Sequence, residues 1–217
     1  FFQMPSYKLV YFDVRARGEP IRMLFNIAKV QFEDYRFALE DWSKIKETTP
    51  YGTVPVLLID NDIQIGQTNT ILRYLGDEFG LSGSNSIDKA LASSYTDQMS
   101  DLLNAIDNWL KISLGYKEDD IEKVNKNEFW PAINKHLPIF NKHLSKSSSG
   151  WIVGDSLTFA DLHIASMFDL IRNVSSYAGI ESNILFKDYP SIEKHIEKVY
   201  SYPPLTEYIA SRPDARY

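Results

Sequence analysis

The stretch 7–22, YKLVYFDVRARGEPIR, combines a strand pattern, a polar turn and the start of a helix. Aromatic and β-branched residues dominate the segment that ends at Tyr11, and these residue types favour a strand. The polar segment 13–18 can form a turn. Glu19 and Pro20 then predict a helix start, because proline is tolerated in the first helical turn. We therefore expect Tyr11 at the carboxyl end of a strand, beside the N-terminus of a helix.

This position gives Tyr11 two interpretations. In open α/β sheets, ligands bind outside the carboxyl ends of the strands, which would give the hydroxyl a role in binding or catalysis. Alternatively, Tyr11 is a core aromatic residue whose hydroxyl is satisfied by a neighbour. The stretch by itself does not separate the two.

The residues that follow extend the pattern to a small α/β unit. Apolar and polar residues alternate again over 32–39, and 54–59 predicts a strand with a proline near its start. Turn residues at 61–62 allow 63–65 to pair back as a hairpin. Thr68 is predicted to cap the next helix, so backbone N–H groups at that point could bind an anion.

Beyond the polar segment 81–86, LSGSNS, the apolar pattern is helical to the end of the chain. The spacing predicts one long helix over 87–109. A second helical region covers 121–144, where Pro131 and Pro138 are expected to kink or break the helix.

Thr158 and Asp161 form a capping-box pattern at the start of another helix. That helix is apolar nearly all round, so we expect it to be central and buried. Helices over 191–200 and after 203–204 complete an all-α second half, and no internal repeat is visible.

Composition and charge limit the classes of function. The 217 residues suffice for one large or two small domains, and the net charge of −6 argues against nucleic acid as a partner. The absence of cysteine excludes disulfides and a cysteine nucleophile, so any thiol chemistry must come from a ligand. No apolar run approaches the roughly 18 residues that span a membrane, and no signal-peptide pattern exists. We therefore expect a cytoplasmic protein with no membrane partner.

Five segments, in this order and spacing, together resemble cytosolic glutathione transferases. They are YKLVYFDVRARGEPIR (7–22), EDW (40–42) with a following lysine, PYGTVPVL (50–57), GQTNTILRYL (66–75) and GDSLTFADLHIA (154–165). The first segment is most similar to the sigma class, whereas the third and fourth look equally like the pi class.

The resemblance implies a two-domain fold. An α/β thioredoxin-like N-terminal domain at 4–80 would bind glutathione, and an all-α helical C-terminal domain at 87–217 would contribute the electrophile pocket. Residues 81–86 would be the linker. This is the same division that the periodicity predicts.

The resemblance also implies roles for individual residues. Tyr11 matches the catalytic tyrosine, whose hydroxyl would stabilise the glutathione thiolate. Arg17 could assist the thiolate or face the electrophile, or else be an exposed cation. The residues that match glutathione contacts are Tyr11, Trp42, Lys46, Thr53, Val54, Pro55, Gln67, Thr68 and Asp101.

Several of these matches carry a specific expectation. A cis bond between Val54 and Pro55 would expose the Val54 N–H to the backbone of glutathione. Gln67 and Thr68 would hold the γ-glutamyl group, although the family usually has serine where Thr68 stands. Thr53 replaces a glutamine or lysine of related proteins, so one side-chain contact could be lost.

Trp42 and Lys46 would contact the glycine end of glutathione. Two further matches imply a homodimer. Asp101 matches an acid that reaches glutathione across the dimer interface, and Tyr51 matches an aromatic residue that wedges between helices of the partner subunit.

The electrophile pocket is less evident. Phe12, Val14 and Leu103 are candidates by position, and ordinary core packing is the alternative for each. No metal site is predicted. Ser100 stands where a magnesium-responsive prostaglandin synthase of the sigma class would carry an aspartate. This difference argues against a prostaglandin synthase.

The predicted function is conjugation of reduced glutathione to small hydrophobic electrophiles, with glutathione as co-substrate and no other cofactor. Alternatives are glutathione-dependent isomerisation of a prostaglandin, or non-catalytic carriage of apolar ligands such as haem. A structural relative of the lens crystallin type is a further alternative. The intact Tyr11, Gln67, Thr68 and Asp101 argue against that alternative, because a structural protein needs no glutathione site.

Overall fold

A computed structural model describes residues 5–213, which form two compact units. The first unit contains the residues up to 82 together with those from 201 onward, and the second contains 83–200. The last helix of the chain thus belongs to the first unit, whereas the sequence pattern places it with 87–217. The outermost limits of the predicted domains, residues 4 and 217, lie outside the described residues.

The first unit is built on a four-stranded sheet with the strand order β2-β1-β3-β4. The strands are β1 (Tyr7–Phe12), β2 (Glu33–Phe37), β3 (Val56–Ile59) and β4 (Ile63–Gly66). β1 pairs parallel with β2 and antiparallel with β3, and β3 and β4 form the predicted hairpin. This mixed sheet confirms the α/β thioredoxin-like first domain.

Four helices accompany the sheet in the described part of the first unit. They are α1 (Glu19–Ala28), α2 (Trp42–Lys46), α3 (Thr68–Glu78) and α11 (Pro203–Ser211). The helix predicted to open at Glu19-Pro20 therefore does so, with the proline in its first turn. α1 packs against α3 and α11. Its apolar face is fully buried, because Ile21, Leu24 and Phe25 have no exposed surface.

The second unit is helical throughout its regular structure. Its helices are α4 (Ser86–Ala105), α5 (Asp107–Ser113), α6 (Ile121–Val124), α7 (Trp130–Leu144), α8 (Phe159–Ser175), α9 (Ser182–Leu185) and α10 (Pro190–Tyr200). This confirms the all-α second domain. No helix within residues 5–213 combines the length and apolarity needed to cross a membrane.

The helices depart from the expectations at two points. The predicted helix over 87–109 is two helices, because α4 ends at Ala105 and α5 begins at Asp107. Pro138 does not break α7, which continues through it to Leu144. The flanking side chains of Leu137 and Phe140 are fully buried, and this packing outweighs the backbone hydrogen bond that an internal proline removes.

The predicted capping box at the start of α8 is present. The Asp161 carboxylate accepts the Thr158 N–H at 2.8 Å and the Thr158 hydroxyl at 2.9 Å. It also accepts the Ile152 N–H at 2.7 Å and His195 Nε2–H at 2.9 Å. Asp161 is completely buried, and every residue from 159 to 168 is buried, so α8 is the central helix of its unit as predicted.

Candidate active site

Strand register brings Tyr11, the Val54–Pro55 bond and Gln67 to one edge of the sheet. Val10 pairs with Val56, and Val56 pairs with Gly66. The end of β1, the start of β3 and the end of β4 therefore lie side by side. Tyr11 follows directly from the first of these points, the Val54–Pro55 bond precedes the second, and Gln67 follows the third.

Tyr11 lies at this edge as predicted, with only 6% of its surface exposed. Its hydroxyl oxygen accepts the backbone N–H of Arg17 at 3.2 Å. Accepting that bond does not use the phenolic proton, which the hydroxyl can donate to an anion. Arg17 belongs to the short turn of 3₁₀ helix that leads into α1, so the hydroxyl lies beside a helix N-terminus. The positive end of a helix dipole also favours an anion there.

Gly18 allows the Tyr11 ring to approach this turn closely. A Cβ atom on Gly18 would lie 2.6 Å from Tyr11 Cδ1 and 3.2 Å from Arg22 Nη1. Its backbone has φ −80°, so the requirement for glycine is one of space and not of conformation. The sequence pattern places Gly18 only in a turn, because its contact with a side chain seven residues earlier leaves no signal in periodicity.

We expect Gly18→Ala to destabilise the protein by about 1–3 kcal/mol, the usual cost of forcing extra volume into a packed site. Turnover should fall with stability, because the buried Tyr11 ring must move. Denaturant unfolding and steady-state kinetics measure the two effects.

Gly66→Ala is the matched control for stability. A Cβ atom on Gly66 would lie 2.8 Å from the ring of Tyr51, but that ring is 66% exposed and can swing aside. Its loss of stability should be clearly smaller than that of Gly18→Ala. Equal losses would show that the Tyr11 contact is not the constraint.

The bond between Val54 and Pro55 is cis, as the resemblance implied. Pro55 is buried and Val54 is half-buried just before β3 begins. Within residues 5–213, no hydrogen bond is made by the Val54 backbone N–H. A partly buried N–H without a partner is costly, and an extended peptide ligand could satisfy it in the manner of an added strand.

The segment after β4 differs in detail from the prediction. Gln67, not Thr68, is the residue that caps α3, and Thr68 is its first helical residue. The chain turns one residue earlier because Gln67 has φ 71° and ψ 116°, a conformation that residues other than glycine rarely adopt. Strained backbone of this kind is concentrated at functional sites. The change leaves the N-terminal N–H groups of α3 directed at the same sheet edge, where they can bind a carboxylate.

Trp42 contributes an aromatic wall near this edge. It is half-buried and stacks on Phe37, with ring centroids 6.1 Å apart and planes 14° apart. Phe12 packs against both rings, 5.4 Å from Trp42 and 4.7 Å from Phe37. Phe12 thus makes the core contacts that were its alternative interpretation, and its role in an electrophile pocket stays a prediction.

The end of α2 and the loop that follows it hold three more predicted residues. Lys46 is exposed, and its alkyl chain passes over Gly52, where an added Cβ would lie 3.2 Å from its Cε. Thr53 and Tyr51 are also exposed. Their roles toward glutathione and a partner subunit stay predictions.

The remaining candidates are placed as follows. Arg17 is exposed, and Val14 is half-buried with its carbonyl bound to Arg22. Asp101 and Leu103 belong to α4 in the second unit, where Asp101 is exposed and Leu103 is 3% exposed. The residues described contain no group of three or more His, Asp or Glu side chains placed to hold a metal ion.

Comparison with known proteins shows the family of the chain. Residues 7–77 match the glutathione S-transferase N-terminal domain, and residues 101–212 match the glutathione S-transferase C-terminal domain. The chain is 40% identical to glutathione S-transferase 4 of Caenorhabditis elegans, over 98% of this chain and 99% of that protein.

Two solved structures are also similar over nearly the whole chain. A Nu-class glutathione transferase from Haemonchus contortus has 36% identity and a TM-score of 0.84, with 99% of this chain and 100% of that chain covered. Monomeric Na-GST-3 from Necator americanus has 37% identity and a TM-score of 0.86, with 98% of this chain and 100% of that chain covered. The chain therefore belongs to the glutathione S-transferase family.

Proposed function

We propose that the protein is an enzyme that joins the sulfur of reduced glutathione to small hydrophobic electrophiles. The observation that carries this proposal is the Tyr11 hydroxyl, which lies at the carboxyl end of β1 and accepts the N–H of Arg17 in the 3₁₀ turn that leads into α1. In the reaction the thiol loses its proton to solvent and the thiolate attacks an electrophilic carbon. A carbon–sulfur bond forms, and in a substitution the leaving group departs with its electron pair.

The energy needed for activation fits a single tyrosine. A free thiol with a pKa near 8.5 is only about 3% ionised at neutral pH. Lowering that pKa by about two units requires about 2.7 kcal/mol. One hydrogen bond to a charged group contributes roughly 1.5–3 kcal/mol, so a donated Tyr11 hydroxyl supplies most of the shift.

The same sheet edge offers complementary groups for the rest of glutathione. The free N–H of Val54 suits the cysteinyl carbonyl, and the N-terminus of α3 at Gln67 and Thr68 suits the γ-glutamyl carboxylate. Trp42 and the exposed cation Lys46 suit the glycine end. Phe12, Val14 and Leu103 remain the proposed electrophile contacts, with no cofactor beyond the co-substrate glutathione.

The motifs and the comparisons point to different classes within the family. The sigma and pi similarity of the segments stays an interpretation, whereas a solved relative is of the Nu class. Ser100 argues against a magnesium-responsive prostaglandin isomerase, so conjugation remains the proposed reaction.

A cytoplasmic location also stays a prediction.

A panel of aromatic halides, unsaturated carbonyl compounds and lipid endoperoxides, each with glutathione, tests the proposal. Conjugation of the first two groups supports it. Isomerisation of the endoperoxides without conjugation would favour the prostaglandin alternative. Tight binding of haem without turnover of any compound would favour a carrier.

We also propose a homodimer in which Asp101 contacts glutathione of the partner subunit. Asp101 is exposed on α4, so its carboxylate is available to an ammonium group. Asp101→Ala should weaken glutathione binding by about 1.5–3 kcal/mol, the range for hydrogen bonds to charged groups, and should change the chemical step little. Titration calorimetry and single-turnover kinetics separate the two effects.

Subunit exchange tests whether the contact crosses the interface. Tyr11→Phe and Asp101→Ala subunits are mixed. A heterodimer should regain one normal site, since one pocket receives both wild-type groups. Mixed dimers without recovery would place Asp101 outside the partner's site, and a monomer in solution, as for Na-GST-3, would exclude the arrangement.

A further inference from the structure

We propose that α11 is a positioning element for the catalytic turn, residues 13–18, and that it acts through Glu19 and Arg22. The inference rests on the proposed function, because it concerns the geometry and electrostatics around Tyr11. No residue of α11 was among the predicted site residues, and all the contacts described below lie within the first unit.

Glu19 connects the start of α1 to α11. It follows Gly18 directly and is only 2% exposed. Its carboxylate accepts the Tyr208 hydroxyl at 3.1 Å and Arg212 Nη1–H at 2.7 Å. Burial and then the charge of Glu19 raise the pKa of Tyr208, which keeps the Tyr208 hydroxyl protonated and able to donate. The first residue of α1 is therefore held by two groups of the C-terminal segment.

Arg22 connects the same carboxylate to the catalytic turn. Its Nη1 lies 3.5 Å from Glu19 Oε2 and donates to the Val14 carbonyl at 2.8 Å. Its guanidinium carbon lies 5.9 Å from the centre of the Tyr11 ring. Arg22 is completely buried, so these contacts fix one position of the guanidinium against both the turn and the ring.

Further contacts hold Arg22 and the catalytic turn, one set from β2 and one from the C-terminal segment. Asp34 on β2 accepts Arg22 Nε–H at 3.0 Å, and Arg36 Nε–H donates to the same carboxylate at 2.8 Å. From the C-terminal side, Arg15 Nη2–H donates to the Pro213 carbonyl at 3.3 Å. The catalytic turn is thus held at two points: Arg22 binds the Val14 carbonyl, and the Arg15 side chain binds the Pro213 carbonyl. A guanidinium group makes each of these contacts.

The charges give the network an electrostatic effect on a thiolate at Tyr11. A carboxylate at position 19 disfavours a nearby anion, whereas Arg22 and Arg212 favour it. Loss of the α11 partners would leave Glu19 less neutralised and free to shift together with Gly18. Both consequences raise the pKa of bound glutathione.

Tyr208→Phe is the principal test, because it removes one hydroxyl and keeps the ring. The pKa of glutathione bound to the variant, followed by thiolate absorbance, should rise by about 0.3–1 unit, the equivalent of one ordinary hydrogen bond. Turnover at a pH below the thiol pKa should fall about 2- to 10-fold, with the KM for glutathione changed by less than about 2-fold. A merely structural role would lower thermal stability without moving the bound-thiol pKa.

Ser211→Ala is the matched control on α11. The Ser211 hydroxyl donates to the Glu207 carbonyl at 2.8 Å within the same helix, so its loss should leave the thiol pKa unchanged. Arg212→Gln should raise the pKa, and Arg212→Lys should restore most of the wild-type value because it keeps the charge.

A double-mutant cycle of Tyr208→Phe with Glu19→Gln tests whether Tyr208 acts on the bound thiol through Glu19. If Tyr208 acts through Glu19, the two effects on the thiol pKa will not add. If Glu19→Gln does not fold, Tyr208→Phe and Arg212→Gln decide by themselves. Should both leave the bound-thiol pKa at the wild-type value while Tyr11→Phe raises it, the positioning role is wrong and the proposed function stands. Should the wild-type protein fail to lower the thiol pKa at all, both are wrong.

Discussion

Tyr11→Phe should lower kcat by roughly 10- to 1,000-fold, in line with the loss of one hydrogen bond to a charged group. Glutathione binding should change little, because the other proposed contacts lie at Val54, Gln67 and Thr68. The bound thiol should titrate about two pH units higher than in the wild-type protein. Steady-state kinetics and the absorbance of the bound thiolate measure the two quantities.

Tyr7→Phe provides the matched control for this substitution. Tyr7 is also a buried tyrosine of β1, 3% exposed, but it lies at the opposite end of the strand. Its ring packs against Phe25 and Phe79, away from the catalytic turn. Turnover of this variant should stay within about 2-fold of the wild type. Unchanged turnover in Tyr11→Phe would remove Tyr11 from the mechanism.

Asp161→Ala should lower the free energy of unfolding by about 3–5 kcal/mol, the range for deleting one partner of a buried charged group. Four donors would lose their acceptor at once: the N–H and hydroxyl of Thr158, the N–H of Ile152 and Nε2–H of His195. Each buried donor left unsatisfied adds to the loss. Denaturant unfolding followed by circular dichroism measures it.

Two variants serve as references for the loss of unfolding free energy in Asp161→Ala. Asp155→Ala removes an exposed carboxylate from the loop before α8 and should change stability by less than about 0.5 kcal/mol. Thr158→Ala removes one hydroxyl from the capping box and should cost about 1 kcal/mol. A loss below about 1 kcal/mol in Asp161→Ala would show that its donors find other acceptors.

Residue patterns over short stretches of the chain predicted most of the fold that surrounds the candidate site. Aromatic and β-branched residues identified β1, and the turn residues at 61–62 identified the hairpin. Pro20 marked the start of α1, and Thr158 with Asp161 marked the start of α8. Each signal depends on residues close together in the chain, which is why it can be recognised without a structure.

The features that the sequence did not predict depend on residues far apart or on a competition between effects. Arg22 is a charged residue among apolar neighbours. Its burial is explained by the distant Asp34 and by Glu19, which is itself held by Tyr208 and Arg212 from the other end of the chain. The continuity of α7 through Pro138 depends on packing that no local rule includes. The capping residue of α3 was misplaced by one position because the positive φ of Gln67 contradicts the usual preference of glutamine.

The discontinuity of the first unit has a consequence for biosynthesis. Domains generally begin to fold as they leave the ribosome, starting from the N-terminus. The sheet and α1 emerge early, but α11 is made only after residues 83–200. During that interval Glu19 and Arg22 lack Tyr208 and Arg212, so a nascent chain would carry an incompletely satisfied ion pair beside Tyr11. Under the positioning role proposed for α11, the catalytic turn reaches its final geometry only after translation of α11.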